Sequence, residues 1–420
     1  MPKTISDAET SPWLINDSPW TWVLESTGSL SVDGTAIVED KSESGNTVTI
    51  NGDIHSNTEQ QGSVAFASAG SRTAIDVGTT SLIDTETGFV FTGVAQRLSN
   101  SGLIHVDGTG VTGSLNLTNE GEITGTDGLN VFDTAIVNQA GALIHGTDTG
   151  IVSHGNGWGL GTTAITNYGT ISGDVAAISS DGNILHLNNY GHITGDVDLS
   201  GGNDILTFHG SSRMSGQVDA GDGDDWFYIA HGAKFSDSIS GGGGNDYYDF
   251  TGGRNRVHIS EAADGGTDRV YASFSYTLAE NIETLFLFGH RSIIGIGNDQ
   301  DNTIVGAKGH DTLIGMGGDD VLLNSQGSNF LLIGGAGDDT FAFDRHKSTV
   351  QDFTDGEDKL AFTDSSGITS FDKATIEQHG DDTWIGYTNH SGFHLRAILD
   401  NTDAATLTAS DFEFHFDLPR

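Results

Sequence analysis

The sequence predicts an all-β chain, a parallel β-solenoid with coils of about 20 residues that runs through glycine-rich turns to a β-rich C-terminal end. Three observations predict it. Asparagine corners recur at near-constant spacing, large apolar residues recur in the same frame, and turns of the type "GGGGNDYYDF" (241–250) return at fixed intervals. Four glycines in a row lose much conformational freedom on folding, so such a turn needs a compensating interaction.

The corners are "LSNSGLI", "LTNEGEI", "VNQAGALI", "ITNYGTI" and "LNNYGHI", around Asn100, Asn119, Asn138, Asn167 and Asn189, with spacings of 19, 19, 29 and 22 residues. Short alternating Val, Ile and Leu segments between them suit strands, and Asn and Gly suit the bends. Asn tolerates the left-handed conformation and can stack its amide on copies in neighbouring coils, so these corners read as a structural ladder rather than a ligand site. Ile171, Ile193, Met214 and Phe235 then form one expected core column, and Val175, Val197, Val218 and Ile239, four residues behind each, a second. The first hundred residues fit the frame least well, and Trp13, Trp20 and Trp22 are expected to cap the open end.

After the last coils come "LSGGNDILT" (199–207), "AGDGDDWFY" (220–228) and "GGGGNDYYD" (241–249), whose starts lie 21 residues apart. Asp204, Asp225 and Asp246 should therefore stack on one corner, roughly 4.8 Å apart per coil, with Leu206, Phe227 and Tyr248 pointing inward beneath them. A different frame begins at Gly297. "GNDQDNTIV", "GAKGHDTLI", "GMGGDDVLL" and "NSQGSNFLL" abut as nine-residue units from 297 to 332, and "GGAGDDTFA" (334–342) follows after one extra residue. Their eighth positions, Ile304, Leu313, Leu322, Leu331 and Phe341, are all large and apolar.

Composition narrows the partners. With 17 basic and 58 acidic residues the net charge is −41, which disfavours nucleic acid and anionic membranes and leaves cations as natural counter-charges. There is no Cys, so disulfides and thiolate metal sites are excluded. The 16 His form no HExxH or other compact zinc pattern, and no GxSxG elbow occurs. No stretch is long and apolar enough for a membrane helix, and the start lacks the pattern of a secretory signal.

The nine-residue pattern resembles the RTX, or hemolysin-type, calcium-binding nonapeptide GGxGxDxUx, with U a large apolar residue. The resemblance implies a β-roll in which six residues turn, three form a strand, and alternate repeats stack on the same side. It implies several Ca²⁺ ions held by carboxylates and turn carbonyls: Asp204, Asp222, Asp224, Asp225, Gly241, Gly243 and Asp246 in the first block. In the second block the implied ligands are Asp301, Asp311, Gly315, Gly317, Asp319, Asp320, Gly334, Ala336, Asp338 and Asp339. Asp311 would lie on one side and the other aspartates of that block on the opposite side. Asn302 and Asn329 would remove a charge at the sixth position and weaken their sites. The chemistry is coherent by itself, since Ca²⁺ takes six to eight hard oxygens and glycine turns expose carbonyls to it. A solvated acidic loop is the plainer alternative.

"GGTDRVYASFSYTLAENIETLFLFG" (265–289) resembles the strand-rich segment found between such repeat blocks. "VQDFTDGEDKLAF" (350–362) and "DAATLTASDFEF" (403–414) resemble the serralysin-like C-terminal cap and export region of proteins that leave Gram-negative bacteria by type I secretion. The expected organisation is a cap with irregular coils (1–95), a generic β-helix ending in calcium turns (96–250), a connector (251–296), the RTX roll (297–345) and a cap with the export region (346–420). The expected function is a secreted, calcium-folded surface, matrix or adhesive protein, with calcium, the secretion machinery and a cell-surface polysaccharide or further copies of itself as partners. An RTX toxin or bacteriocin is the alternative, but a pore-forming toxin would need an apolar membrane-inserting region, and this sequence has few lysines and no apolar stretch of that length. A polysaccharide lyase or epimerase would need a catalytic cluster, and Arg213, Arg254, Arg256 and Arg269 near the first acidic block form none that is recognisable.

Overall fold

The computed structural model describes residues 3–15, 21–32, 34–39, 45–56, 64–155, 161–254, 257–263, 265–324, 327, 329–390 and 392–417. The chain is all-β and forms two compact units, one comprising Met1–Tyr228, Gly232–Gly242 and Arg256–His258, the other Ile229–His231, Gly243–Asn255 and Ile259–Arg420. Each is a parallel β-solenoid. Among the described residues no helix is long and apolar enough to cross a membrane.

In the first unit three apolar columns run from coil to coil. One is Trp22, Val48, Ile75, Leu98, Leu117, Ile136, Ile165, Leu187 and Leu206. The second is Ile54, Ile83, Ile104, Ile123, Ile144, Ile171, Ile193 and Met214. The third runs from Phe66 through Phe89, Val111, Leu129, Ile151 and Ile178 to Val197 and Val218. All of these side chains are buried. Parallel strands stack identical faces, so one residue class repeated at one position per coil yields a continuous core.

Two expectations are corrected here. Val175 is 67% exposed, and Ile178 takes its place in the third column, opposite Val197. The four-residue step to the next column holds from Ile193 onward. The earlier coil takes seven residues from Ile171 to Ile178, and the strand register shifts at Ala176 to absorb the difference. The described strands of the first hundred residues also stack in parallel, Lys3–Ile5 with Thr21–Leu24 and that strand with Thr47–Ile50, with Trp22, Val48, Ile75 and Leu98 spaced unevenly at 26, 27 and 23 residues. Trp22 is accordingly a core-column residue, with Trp13 packed edge-on against it at 5.3 Å, and Trp20 lies outside the described residues.

The asparagine corners form the expected ladder. Nδ2 of Asn100, Asn119, Asn138 and Asn167 each donates 2.9 Å to Oδ1 of the next asparagine, and each also donates to a backbone carbonyl of the coil beyond. All five side chains are fully buried. The ladder ends at Asn189, opposite Phe208, where Nδ2 has no hydrogen-bond partner among the described residues.

In the second unit Tyr248, Val270, Leu285, Ile304, Leu322, Phe341, Leu360 and Phe412 line one sheet. Leu313, Leu332, Val350 and Leu399 line the other. An antiparallel group, Thr375–His379, Asp382–Asn389 and Gly392–Leu399, joins the second sheet, and Phe412–Phe414 extends the first. Leu331 differs from its expected role: it is half-buried, while Phe330 and Leu332 are buried. The extra residue before Gly334 moves that repeat by one, so Leu332 pairs with Leu313.

Candidate metal centre

The glycine-rich turns place the sixth-position carboxylates inside the protein. Asp204, Asp225, Asp246, Asp311, Asp320 and Asp339 are all buried. A carboxylate is seldom buried without compensation, and here the first compensation is the backbone of the neighbouring coil. In the first unit Oδ1 of Asp204 accepts from the Leu185 amide (2.6 Å), and Oδ1 of Asp225 from the Asp204 amide (2.6 Å). In the second unit Oδ1 of Asp320 accepts from Asn302 N–H (2.7 Å), Asp339 from Asp320 N–H (2.9 Å) and Asp358 from Asp339 N–H (2.9 Å). Asp268 likewise accepts from Asp246 N–H (2.8 Å), and Glu283 from Asp268 N–H (2.8 Å).

Asp268, Glu283 and Asp358 were not among the expected ligands, yet they occupy the same register as Asn302, Asp320 and Asp339. "GTDRV" and "GEDKL" keep the positive-φ glycine two residues before the acid, Gly266 (147°) and Gly356 (85°), "NIETL" does not, and each has the acid two residues before a buried apolar residue. Glu261, another residue outside the repeats, brings a carboxylate into a group with Asp246 and Asp268 whose ligand atoms lie within 4.8 Å of one another, and the Tyr248 hydroxyl donates to Glu261.

The turn backbone explains the glycines. The fourth-position glycines of five repeats have positive φ, Gly202 (113°), Gly223 (143°), Gly244 (130°), Gly318 (93°) and Gly337 (138°), whereas Gly309 and Gly327 do not. First-position glycines make room for the acid: a Cβ on Gly315 would lie 2.0 Å from Oδ2 of Asp320, and one on Gly334 equally close to Oδ2 of Asp339. Gly241 is buried, Gly243 and Gly317 are half-buried, and Ala336 is exposed opposite Gly317. A second, exposed ladder runs alongside, with the Asp319 amide donating to Asp301 (2.7 Å) and the Asp338 amide to Asp319 (2.8 Å). Asp222 and Asp224 are exposed in the first unit; the Asp222 carbonyl accepts from Gly202 N–H, and Asp224 N–H donates to Asn203.

The corners differ in how the second carboxylate oxygen is used. Asp311 lies on the opposite sheet from Asp320, and its two oxygens accept from Ile293 N–H and Ala307 N–H. Asp358 uses its second oxygen for Thr354 N–H (2.7 Å), and Asn302 turns its oxygen to Asn298 N–H (2.6 Å). Oδ2 of Asp204 and Oδ2 of Asp320, by contrast, are buried without a hydrogen-bond partner among the described residues. Asn329 is corrected: it is exposed with φ 57°, and Phe330 stands opposite Asp311 in its stead, its ring filling the space beside Gly306.

Burial raises the carboxyl pKa to about 8 for Asp320, where neighbouring aspartates add to the effect, and to about 7 for Asp204. It raises Asp268 and Asp339 to about 6, and Asp311 and Asp358 also lie above the ordinary value. The metal-free ladder thus attracts counter-charge. Unpartnered buried carboxylate oxygens beside glycine carbonyls form a hard-oxygen donor set that fits Ca²⁺ and offers no nitrogen or sulfur for a softer metal.

Residues 229–257 and 296–331 match the RTX calcium-binding nonapeptide repeat family, in four copies. Comparison with curated proteins gives no match. Among solved structures, the chain is similar to the AlgE6R3 subunit of the Azotobacter vinelandii mannuronan C5-epimerase, at 22% identity over 31% of this chain and 79% of that one, with a TM-score of 0.24. It is also similar to the extracellular lipase LipA from Serratia marcescens, at 16% identity over 60% of this chain and 45% of that one, with a TM-score of 0.17.

Proposed function

We propose that this chain, which carries RTX calcium-binding nonapeptide repeats on a parallel β-solenoid, is a secreted surface, matrix or adhesive protein of a Gram-negative bacterium that folds on meeting external Ca²⁺. The observation that carries the calcium part is the buried carboxylate ladder, with Oδ2 of Asp320 and Asp204 inside the protein and without a partner among the described residues. Asp204, Asp225, Asp246, Asp320 and Asp339, with the carbonyls of their turns, are the proposed primary ligands. Asp222, Asp224, Asp301, Asp319 and Asp338 are proposed to add charge at the rim. Asp311, whose two oxygens already accept backbone amides, is the weakest of the candidates.

A bound calcium ion would supply positive charge to oxygens that otherwise lack it and cancel repulsion between stacked acids. An ion that binds only the ordered turns stabilises the fold by about 2.7 kcal/mol at a hundredfold excess over its dissociation constant. In the low-calcium cytosol the same repulsion and the glycine entropy would hold the chain open for type I export. The test is far-UV circular dichroism of chelator-treated protein during a calcium titration, with light scattering recorded alongside. The β signal should rise with calcium, and Asp320→Ala with Asp339→Ala should shift the folding midpoint of the second block to higher calcium. A double variant that folds at the parent's calcium level would refute the ligand assignment. Scattering that rises with folding supports the matrix role, and a strictly monomeric folded protein speaks against self-assembly.

A further inference from the structure

The first unit has a surface stripe that the calcium turns do not use. His192, Arg213 and Lys234 stand directly opposite one another on three successive parallel strands, all exposed, and Arg213 and Lys234 have no ion-pair partner among the described residues. Like charges in register across strands destabilise a sheet. In a chain with 58 acidic residues, carboxylate partners are abundant, so two unpaired cations in register have no structural explanation.

The flanks of the stripe are polar and rigid. One corner earlier, Tyr168, Tyr190 and His209 stack face to face, at 4.8 and 3.6 Å between ring centres, and are held in step by their backbone N–H groups, which donate to the main-chain carbonyls of Asn138, Asn167 and Asn189. Tyr168 and Tyr190 are both exposed at this surface. On the other side Thr194 and Ser215 form a hydroxyl column, also in register and exposed. Two acids flank it: Asp196, engaged by the Gln217 amide (2.8 Å), and Asp237, three residues beyond Lys234, whose carboxylate accepts from Ser238 N–H (2.8 Å).

We infer that this stripe binds a linear acidic polysaccharide lying along the solenoid axis, its carboxylates on Arg213 and Lys234 and its hydroxyls on the flanking Tyr, Thr and Ser side chains. One cation per coil recurs at roughly 4.8 Å, of the order of the charge spacing in a glycan with one carboxylate per sugar. A DNA duplex, with a charge every ~1.7 Å, is far denser than one cation per coil. The remote carboxylates are largely screened at physiological salt, where the Debye length is about 8 Å, while direct contacts at the stripe are weakened less.

The full-length protein in saturating calcium should bind galacturonate oligomers too short to gel, measured by calorimetry, with affinity that falls as sodium chloride rises, and should ignore uncharged galactose oligomers. Arg213→Ala with Lys234→Ala should weaken binding at least roughly tenfold while leaving the calcium folding midpoint unchanged. The milder Arg213→Gln should show part of that loss. Absence of binding overturns the inference. Equal binding by the double variant also overturns it, because the oligomer would then be held through calcium on the acidic turns. Sedimentation showing a dimer that the double variant dissociates, without oligomer binding, would make a second copy the occupant. The stripe contains none of the calcium ligands, so its failure leaves the calcium reading intact.

Discussion

A methyl group on Gly337 would sit 2.2 Å from the carbonyl oxygen of Gly318, at a residue whose φ is 138°. Two residues of the same repeat type thus make opposite demands, because a methyl on Gly317 would meet nothing closer than 3.8 Å, at a φ outside the left-handed range. Gly337→Ala should therefore destabilise the second unit by on the order of 1–3 kcal/mol, through both backbone strain and displacement of a stacked carbonyl. Gly317→Ala should be close to neutral. Urea unfolding in saturating calcium checks the pair, and equal losses would show that the fourth-position conformation is not what demands glycine. Ser200 and Met316 show that the second position accepts a side chain at positive φ, 57° and 91°, so the requirement is local to the close approach.

At the scale of elements, the two ladders solve the same problem with different side chains. An amide carries donor and acceptor and stacks on itself, whereas a carboxylate only accepts and must borrow the amide of the neighbouring coil. Asn138→Ala removes a donor to Asn167 and to the Thr170 carbonyl and an acceptor for Asn119, all buried. It should lower stability by about 1–3 kcal/mol. The calcium dependence of the second block should not change, and a shifted calcium midpoint would contradict a purely structural role. The asparagine ladder was legible in the sequence because one residue type recurs at one position per coil. The acid ladder was legible where paired glycines framed the aspartate. It was not legible at Asp268, Glu283 and Asp358, since these lie outside the nine-residue frame: register there is set by the core residues Val270, Leu285 and Leu360, and of the repeat's glycines only Gly265, Gly266 and Gly356 remain. Val175 and Leu331 were misplaced for a related reason. A coil can lengthen or slip by a residue at a corner, and only the pairing of neighbouring strands reveals which apolar residue then turns inward.

For the whole molecule the acid ladder fixes how stability responds to pH. Asp204 and Asp320 have folded-state pKa values of about 7 and 8, and Asp268 and Asp339 of about 6, all above the ordinary carboxyl value of 3.8. The metal-free folded state therefore binds protons more tightly than the unfolded chain. Its stability is greatest at acidic pH and is lost progressively as pH rises from the unfolded value through the folded ones, because the buried groups must then carry charge. The many exposed carboxylates act in the same direction by mutual repulsion. Calcium reverses the balance, since the ion favours the charged carboxylates and competes with protons for them. In chelator the urea midpoint should fall between about pH 5 and about pH 8, whereas in saturating calcium the fall should shrink or change sign. The required calcium concentration should likewise decrease as pH rises over that window. A chelated protein whose midpoint rises with pH would mean that the ladder is already compensated within the chain, and calcium would then lose its place as the counter-charge of the fold.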